Sequence, residues 1–471
     1  MSEDIIVKTL RTFRHPYAYD RHTNSLVMLT EDEYQELVQV VSGEISAEQS
    51  PVIARHRQYG LFAPNIVNEI EHPGTVLIGQ YLETRVLQIT LQVTQECNLR
   101  CKYCVYSGSY HSNRTHSSKR MTLETAKKAV DFLIAHSDEL ERVSLAFYGG
   151  EPLLEFDLIK QCVEYAKGKV EGKTVAFVLT TNGTLLSDSV VDFLAENDFG
   201  LNISLDGSKE EHDRNRKFVN GEGSFDAIIR NIRRIQERHP EYDKRVTVST
   251  TINPHMDIGC VMEYFTTDEI FSDRAILFNE VVEKDHIEEL EYDKDSYRIR
   301  NFEYMKMLFS LVGKLDRKHV SPLVTRAEGR VGQRKKGIGI HSELIQKWHH
   351  NGPCLPGVQR PMVRVDGALL PCERVNEEFD FFVIGTLDDG FNLDKVRSVL
   401  NIGKLTECEC IACWGLRQCS MCSAQMEFDP VTLEPDKHRS CPKNLNAVDT
   451  GLYELCVLSE FGYDIEGMVT E

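Results

Sequence analysis

The chain has no apolar run approaching the roughly 20 residues that a helix needs to cross a bilayer, so no membrane span is expected. It has no excess of base: 54 Lys and Arg stand against 73 Asp and Glu, a net charge of −19. That balance argues against a nucleic-acid footprint and for a soluble protein with neutral or basic partners. The opening Met1-Ser2-Glu3-Asp4-Ile5-Ile6 offers neither the basic flank nor the apolar stretch of a secretory signal, and a cytoplasmic location is expected. Reduced thiols rather than disulfides follow from that compartment. The first eighty residues hold no cysteine and no obvious catalytic group. What the chain does have is 471 residues, enough for two or three domains, 41% apolar residues to fill their cores, and 14 cysteines.

Those cysteines are not spread evenly. Cys97, Cys101 and Cys104 stand in Gln95-Glu96-Cys97-Asn98-Leu99-Arg100-Cys101-Lys102-Tyr103-Cys104, with three residues in the first gap and two in the second. A four-iron cluster takes one thiolate per corner, so a trio on one loop leaves an iron open for chemistry. A structural zinc would want a fourth ligand nearby, which His111 or His116 could supply. Eight more cysteines lie from Cys354 to Cys441: Cys354, Cys372, Cys408, Cys410, Cys413, Cys419, Cys422 and Cys441. Buried free cysteines are normally scattered, as Cys162, Cys260 and Cys456 are; this density reads as metal or redox chemistry.

Between the two cysteine regions the pattern alternates. Leu87, Ile89, Leu91 and Val93 read as a strand feeding the first cysteine loop, and residues 121–136 show helical spacing. Further strands are expected at 143–148, 175–180, 201–205, 246–252 and 275–281, with helices such as 154–166, 187–196 and 225–238 between them. Six strands and five helices give an α/β fold, a parallel sheet with helices outside, in which strand carboxyl ends converge on one face. The motifs sit there: the cysteine loop after the first strand, Gly149-Gly150-Glu151-Pro152 after the second, Thr181-Asn182-Gly183 after the third and Ser204-Leu205-Asp206-Gly207 at the fourth. Paired glycines let backbone approach a ligand closely, and Glu151 can accept from a hydroxyl or ammonium group.

The trio Cys97, Cys101 and Cys104, with Tyr103 before the last cysteine, resembles the signature of the radical S-adenosylmethionine (SAM) enzymes, and Gly149, Gly150 and Glu151 resemble their SAM-amine motif. The resemblance implies a partial (β/α)6 TIM-like barrel. It also implies a SAM-binding [4Fe-4S] cluster whose open iron is chelated by SAM, and reductive cleavage to a 5'-deoxyadenosyl radical. It places Ser204 at the methionine carboxylate, Asn182 near the ribose, and Arg216 as the residue neutralising that carboxylate, with Arg214 an exposed loop charge.

The later cysteines resemble the SPASM extension of peptide and protein maturases, which carries two auxiliary [4Fe-4S] clusters, making three in all. Cys354, Gly367 and Cys372 match its opening segment, and Cys410, Cys413, Cys419, Cys422 and Cys441 its second half. Two residues instead of three separate Cys419 from Cys422. The resemblance assigns Cys354, Cys372 and Cys422 to the first auxiliary cluster and Cys410, Cys413, Cys419 and Cys441 to the second. The first is one ligand short, a gap that Cys408 or a substrate thiolate could fill. No general base is identified; Glu373 and Asp366 lie near Cys372.

At the start, a hairpin pattern through Tyr17, Tyr19 and Leu26–Leu29, then Thr30 and Glu33 as a capping box, resembles the winged-helix-like RiPP recognition element, which binds leader peptides at a strand edge. A plain cap on the barrel reads equally. The implied organisation is 1–82 peptide recognition, 83–285 radical SAM barrel, 286–350 helical bridge, 351–449 SPASM and 450–471 a C-terminal helix and tail. Residues 106–117 are similar to those of maturases that install thioether bridges in cysteine-rich ribosomal peptides of the ranthipeptide and sactipeptide kind. A thioether maturase is therefore expected, with a leader-bearing precursor peptide and a flavodoxin or ferredoxin reductant as partners. Formylglycine formation in sulfatases, epimerisation and carbon–carbon crosslinking are the alternatives.

Overall fold

The computed structural model describes residues 5–170, 172–271, 274–284, 286–339, 344–429, 432 and 434–469. Six parallel strands, Gln88–Thr94, Arg142–Gly149, Thr174–Thr181, Gly200–Ser204, Thr247–Ile252 and Ile276–Glu280, pair each with the next. The helices Leu123–Ala135, Phe156–Lys169, Asp188–Glu196, Phe225–Arg238 and Ile258–Thr267 alternate with them. Each expected strand is present to within a few residues, because buried parallel strands are near-continuous apolar runs. Thr122 starts the first barrel helix by accepting from Thr125 N at 3.1 Å, and Ser187 caps the third in the same way. Leu91, Leu145, Leu179, Ile203 and Val248 meet at zero exposure between sheet and helices. Each such side chain contributes about 1.5–3 kcal/mol on burial.

The sheet does not stop at its first strand. Met362–Val363 pairs parallel to it through Met362↔Thr90 and Val363↔Leu91, and Ala368–Leu370, Gly385–Thr386 and Gly390–Phe391 continue antiparallel. The hairpin seen in the sequence around Gly367 is thus stitched to the barrel alongside its first strand. Gly367 turns it with φ +88°.

Val7–Arg11, Pro16–Asp20 and Ser25–Met28 form an antiparallel sheet, and Glu31–Ser42 follows behind the Thr30/Glu33 capping box. The C-terminal Met468–Val469 adds a fourth strand, parallel to Ser25–Met28. One face of this sheet packs Ala18 and Val27 on Leu37, Ile53 and Phe62; the other packs Leu10, Tyr17, Tyr19 and Leu26 on Leu452 and Leu455 of the helix Lys437–Glu460. Ile78 and Leu82, at the end of the expected N-terminal region, pack in the barrel core. The bridging helix Lys294–Leu311 buries Met307 and leaves Met305 and Phe309 half exposed. In the sequence Met305, Leu308, Phe309 and Leu311 suggest a face that packs against the barrel, but the apolar positions of this helix do not form a single stripe. Leu308 and Leu311 pack against the core shared with the N-terminal sheet rather than against the barrel.

Candidate active site at the carboxyl ends of the barrel strands

The loop carrying Cys97, Cys101 and Cys104 is held by backbone on two sides. Arg100 N donates to Lys217 O at 2.7 Å and Lys102 N to Asn215 O at 3.2 Å. On the other side Gly150 N donates to Thr94 O and Glu151 N to Glu96 O, both at 2.9 Å. Gly149 has φ +145°, and a Cβ there would stand 2.2 Å from Thr94 O; a Cβ on Gly150 would stand 2.1 Å from Glu96 O. The glycine pair is what lets the second strand end dock on the backbone leading into Cys97. Its close approach is to the protein's own main chain.

Glu151 is 1% exposed and ties three motifs together. Its Oε1 accepts from Leu153 N at 3.0 Å and from the Thr181 hydroxyl at 2.7 Å, and its Oε2 accepts from Asn182 N at 2.7 Å. Burial raises its pKa to about 7 even though these donors favour the carboxylate. Asn182 in turn donates to Asn98 Oδ1 at 2.8 Å and lies 3.9 Å from Cys97 Sγ.

The fourth strand end supplies a group that sequence reasoning passed over. Asp206 has zero exposure, accepts from Arg216 Nε at 2.9 Å and from Thr251 N at 3.0 Å, and takes the Tyr103 hydroxyl as well. The Arg216 guanidinium lies 5.4 Å from the Tyr103 ring centroid. Burial works against its charge, but Asp206 and the neighbouring Tyr103 and Cys101 hold it charged well above its ordinary range. Behind it His212 accepts from Asp206 N at 3.2 Å and lies 2.9 Å from Ser224 Oγ, and burial pushes its pKa down to about 3. Ser204 stands half-buried at the same strand end. Arg214 pairs with Glu211 at 2.9 Å and is largely exposed. The sequence signal for Asp206 was an acid inside an otherwise apolar strand end.

Burial pushes the thiols of Cys97 and Cys101 up to about 11 and about 12, and raises Cys104. Arg216 opposes the shift at Cys101. Buried thiols become good ligands only when a metal takes the proton's place, so binding here releases protons. A second pair missed from sequence, Arg114 with Glu377, is buried at 7% and 4% exposure and joins the residues after the cysteine loop to the later hairpin. Gln92 Nε2 adds a 2.8 Å bond to Glu377.

The other cysteines fall into two neighbourhoods. Cys354, Cys372 and Cys422 influence one another, with burial raising Cys372 to about 11. Cys410, Cys413, Cys419 and Cys441 form the second, with Cys419 likewise raised by burial to about 11. Cys408 is exposed, two residues from the buried Cys410 on the helix Glu407–Ala412, so it turns away from both sets. Among the described residues no three His, Cys, Asp or Glu side chains converge tightly enough for a single metal ion. A cavity of about 460 Å³ opens beside the first loop, lined by Arg100, Cys101, Tyr103, Asn253 and His286 among others. Clefts of about 530 and 700 Å³ lie on the outer helices, away from the cysteines.

Residues 91–264 match the Radical SAM superfamily. This stretch of the chain is a radical SAM domain. The matched segment contains the cysteine loop, and its three buried thiols suit the donor set of a [4Fe-4S] cluster. It is 32% identical over 166 residues to a cysteine-type anaerobic sulfatase-maturating enzyme of Clostridium novyi (strain NT), covering 35% of this chain and 44% of that protein. It is 30% identical over 154 residues to a serine-type enzyme of Bacteroides thetaiotaomicron, covering 32% and 37%. The chain thus aligns with less than half of these relatives. A longer alignment, 25% identical over 338 residues, covers 69% of this chain and 84% of a cysteine-type enzyme of Clostridium perfringens. Among solved structures, anSMEcpe with bound AdoMet and the Cp18Cys peptide matches with TM-score 0.54 at 20% identity, covering 80% of this chain and 99% of that one. The barrel fold is therefore that of the radical SAM enzymes. Among the described residues no helix is long and apolar enough to cross a membrane.

Proposed function

We propose that this radical SAM enzyme is a maturase that oxidises a residue within a polypeptide. The observation that carries this reading is the cysteine loop clamped between four strand ends, in a chain similar to enzymes that act on sulfatases and to a structure holding AdoMet and a peptide. Cys97, Cys101 and Cys104 hold the cluster. Bound there, SAM supplies on reductive cleavage a 5'-deoxyadenosyl radical that abstracts hydrogen from a substrate carbon. Gly149, Gly150 and Glu151 fix the backbone that leads into the loop and would thereby position the edge that receives the SAM amine. Asn182 and Ser204 would face the nucleotide, and Arg216, oriented through Asp206 and laid over Tyr103, would offer its charge to the SAM carboxylate. Cys354, Cys372 and Cys422, and separately Cys410, Cys413, Cys419 and Cys441, would hold two auxiliary clusters, which would supply electron-accepting capacity for the oxidation. An acidic reductant of the flavodoxin or ferredoxin class suits the exposed Arg100 and Lys102 on the first loop.

Of the reactions open to such an enzyme, oxidation of a cysteine or serine side chain to formylglycine is the better supported, since the relatives include both cysteine-type and serine-type sulfatase-maturating enzymes. Thioether formation in a leader-bearing peptide is the second reading. It is favoured by the N-terminal sheet, which lies outside the matched domain. The edge of Ser25–Met28 is taken by Met468–Val469, so the strand open to a peptide is Val7–Arg11. Bonds from Arg21 N to Ile6 O and from Thr12 N to His15 O set the alternation. By that alternation Val7, Thr9 and Arg11 turn their main-chain groups outward.

Anaerobic incubation with SAM and reductant decides between the readings by mass spectrometry. A sulfatase-type peptide gaining an aldehyde at cysteine or serine supports the first. A neighbouring-gene precursor losing two hydrogens with its thiol consumed supports the second. Release of 5'-deoxyadenosine by a Cys97→Ala, Cys101→Ala, Cys104→Ala triple variant would overturn both.

A further inference from the structure

Lys437, the first residue of the helix Lys437–Glu460, is only 2% exposed. Its Nζ lies 3.0 Å from Thr406 Oγ1 and 2.9 Å from Cys410 Sγ. The Thr406 hydroxyl is itself 3.4 Å from the same sulfur. An ammonium removed from water is costly unless it meets an opposite charge. A hydroxyl carries none, so the contact that can compensate Lys437 is the Cys410 sulfur, which bears negative charge when it serves as a metal ligand. Cys419 and Cys441 also feel this lysine. Arg21, 1% exposed, reaches the same neighbourhood by donating to Ile411 O at 2.7 Å and Cys413 O at 3.2 Å.

The first auxiliary set is surrounded differently. Glu373 follows Cys372 directly and its Oε2 is buried with no hydrogen-bond partner, while Arg360 at 3.2 Å and Arg374 at 3.7 Å answer its other oxygen. Carboxylates stand near both sets, Glu409 and Asp436 at Cys441 and Glu373 at Cys372; the difference is that a buried ammonium touches a ligand sulfur at one, whereas Arg360 and Arg374 at the other pair with Glu373.

We propose that Lys437 is the fixed counter-charge of a cluster held by Cys410, Cys413, Cys419 and Cys441, and that it sets this cluster at a more positive potential than the one at Cys354, Cys372 and Cys422. The inference rests on reading both sets as auxiliary-cluster ligands. Reduction by one electron adds one negative charge to a thiolate-bound cluster. A cation in contact with a ligand sulfur stabilises the reduced form more than the oxidised one, and burial keeps water from screening the difference. Transfer of an electron from a cluster at the first set to one at the second would therefore be downhill.

The test uses full-length, anaerobically reconstituted protein: wild type, Lys437→Met, and Thr406→Val as the variant that removes the hydroxyl alone. Iron and sulfide are counted, and each protein is then titrated potentiometrically by EPR. Lys437→Met is expected to keep its iron while one midpoint moves negative. The shift corresponds to at least about tenfold in the reduction constant, 59 mV for one electron, and Thr406→Val moves that midpoint far less. Full iron with unmoved midpoints overturns the inference. If Lys437→Met does not take up iron at this set, wild type decides: the more positive auxiliary midpoint must be the one lost in Cys410→Ser, and the reverse order overturns the proposal. A wild type that binds no more than one cluster refutes the auxiliary reading beneath it instead.

Discussion

Gly150 is the position where the smallest perturbation should reach the chemistry. In Gly150→Ala the new methyl would lie 2.1 Å from Glu96 O, 2.5 Å from Glu96 C and 3.0 Å from Cys97 N, where ordinary contact begins near 3.4 Å. All three atoms are backbone, so no rotamer change relieves the overlap. The segment leading into Cys97 must retreat by roughly 1 Å, a scale of misplacement that costs about 10²-fold in rate. The 2.9 Å bond from Glu151 N to Glu96 O is strained with it. Overpacking of this kind costs about 1–3 kcal/mol, which a domain of this size survives. We therefore expect a folded protein that releases 5'-deoxyadenosine about a hundredfold more slowly per iron bound. Gly168→Ala is the control: nothing lies within 4 Å of its Cβ, and it sits in a helix. That change should leave cleavage intact and add about 0.5–1 kcal/mol of stability. A Gly150→Ala protein with full iron and the wild-type rate would refute the docking role given to the glycine pair.

Three further outcomes are expected. Arg216→Ala strands Asp206 at zero exposure and should cost about 3–5 kcal/mol in urea unfolding, with Asp206→Asn restoring part of it; a loss no larger than that of a surface pair would contradict the buried-pair account. Because the folded Glu151 pKa, about 7, lies above its ordinary 4.5, the native state holds the proton longer than the unfolded one. Its contribution to stability is then full below about pH 4.5 and lost as pH rises through about 7, by up to about 3 kcal/mol. Glu151→Gln should remove this slope from denaturation curves taken across that window, and an unchanged slope would sink the assignment. Thr9→Pro removes an N–H that faces away from Pro16–Asp20, so thermal stability should hardly change while affinity for a leader-bearing peptide falls; equal affinity in a titration would show that this edge is not used.

The strands and helices of the barrel were legible because each depends on residues a few positions apart. The apolar alternation through Ile89, Leu91 and Val93 carries the same information in the sequence as in the fold. The cysteine spacing at 97, 101 and 104 was equally local. The face of Lys294–Leu311 was misjudged because its two sides pack on different neighbours, so no single stripe records its orientation.

The rest depended on chain segments that meet only after folding. Nothing near Asp206 in sequence announces that Tyr103 and Arg216 will close on it, nor does the composition around Gly150 reveal Glu96 O as its neighbour. Cys408 and Cys410 look interchangeable in the chain; the turn of one short helix exposes the first and buries the second. The C-terminal strand that covers Ser25–Met28, and the lysine set against Cys410, join residues tens to hundreds of positions apart. Sequence by itself determined which chemistry this chain can carry, since ligand type and local spacing are covalent facts. The tertiary structure alone decided which thiols share a site and which charge each site feels, because burial and electrostatics act through space.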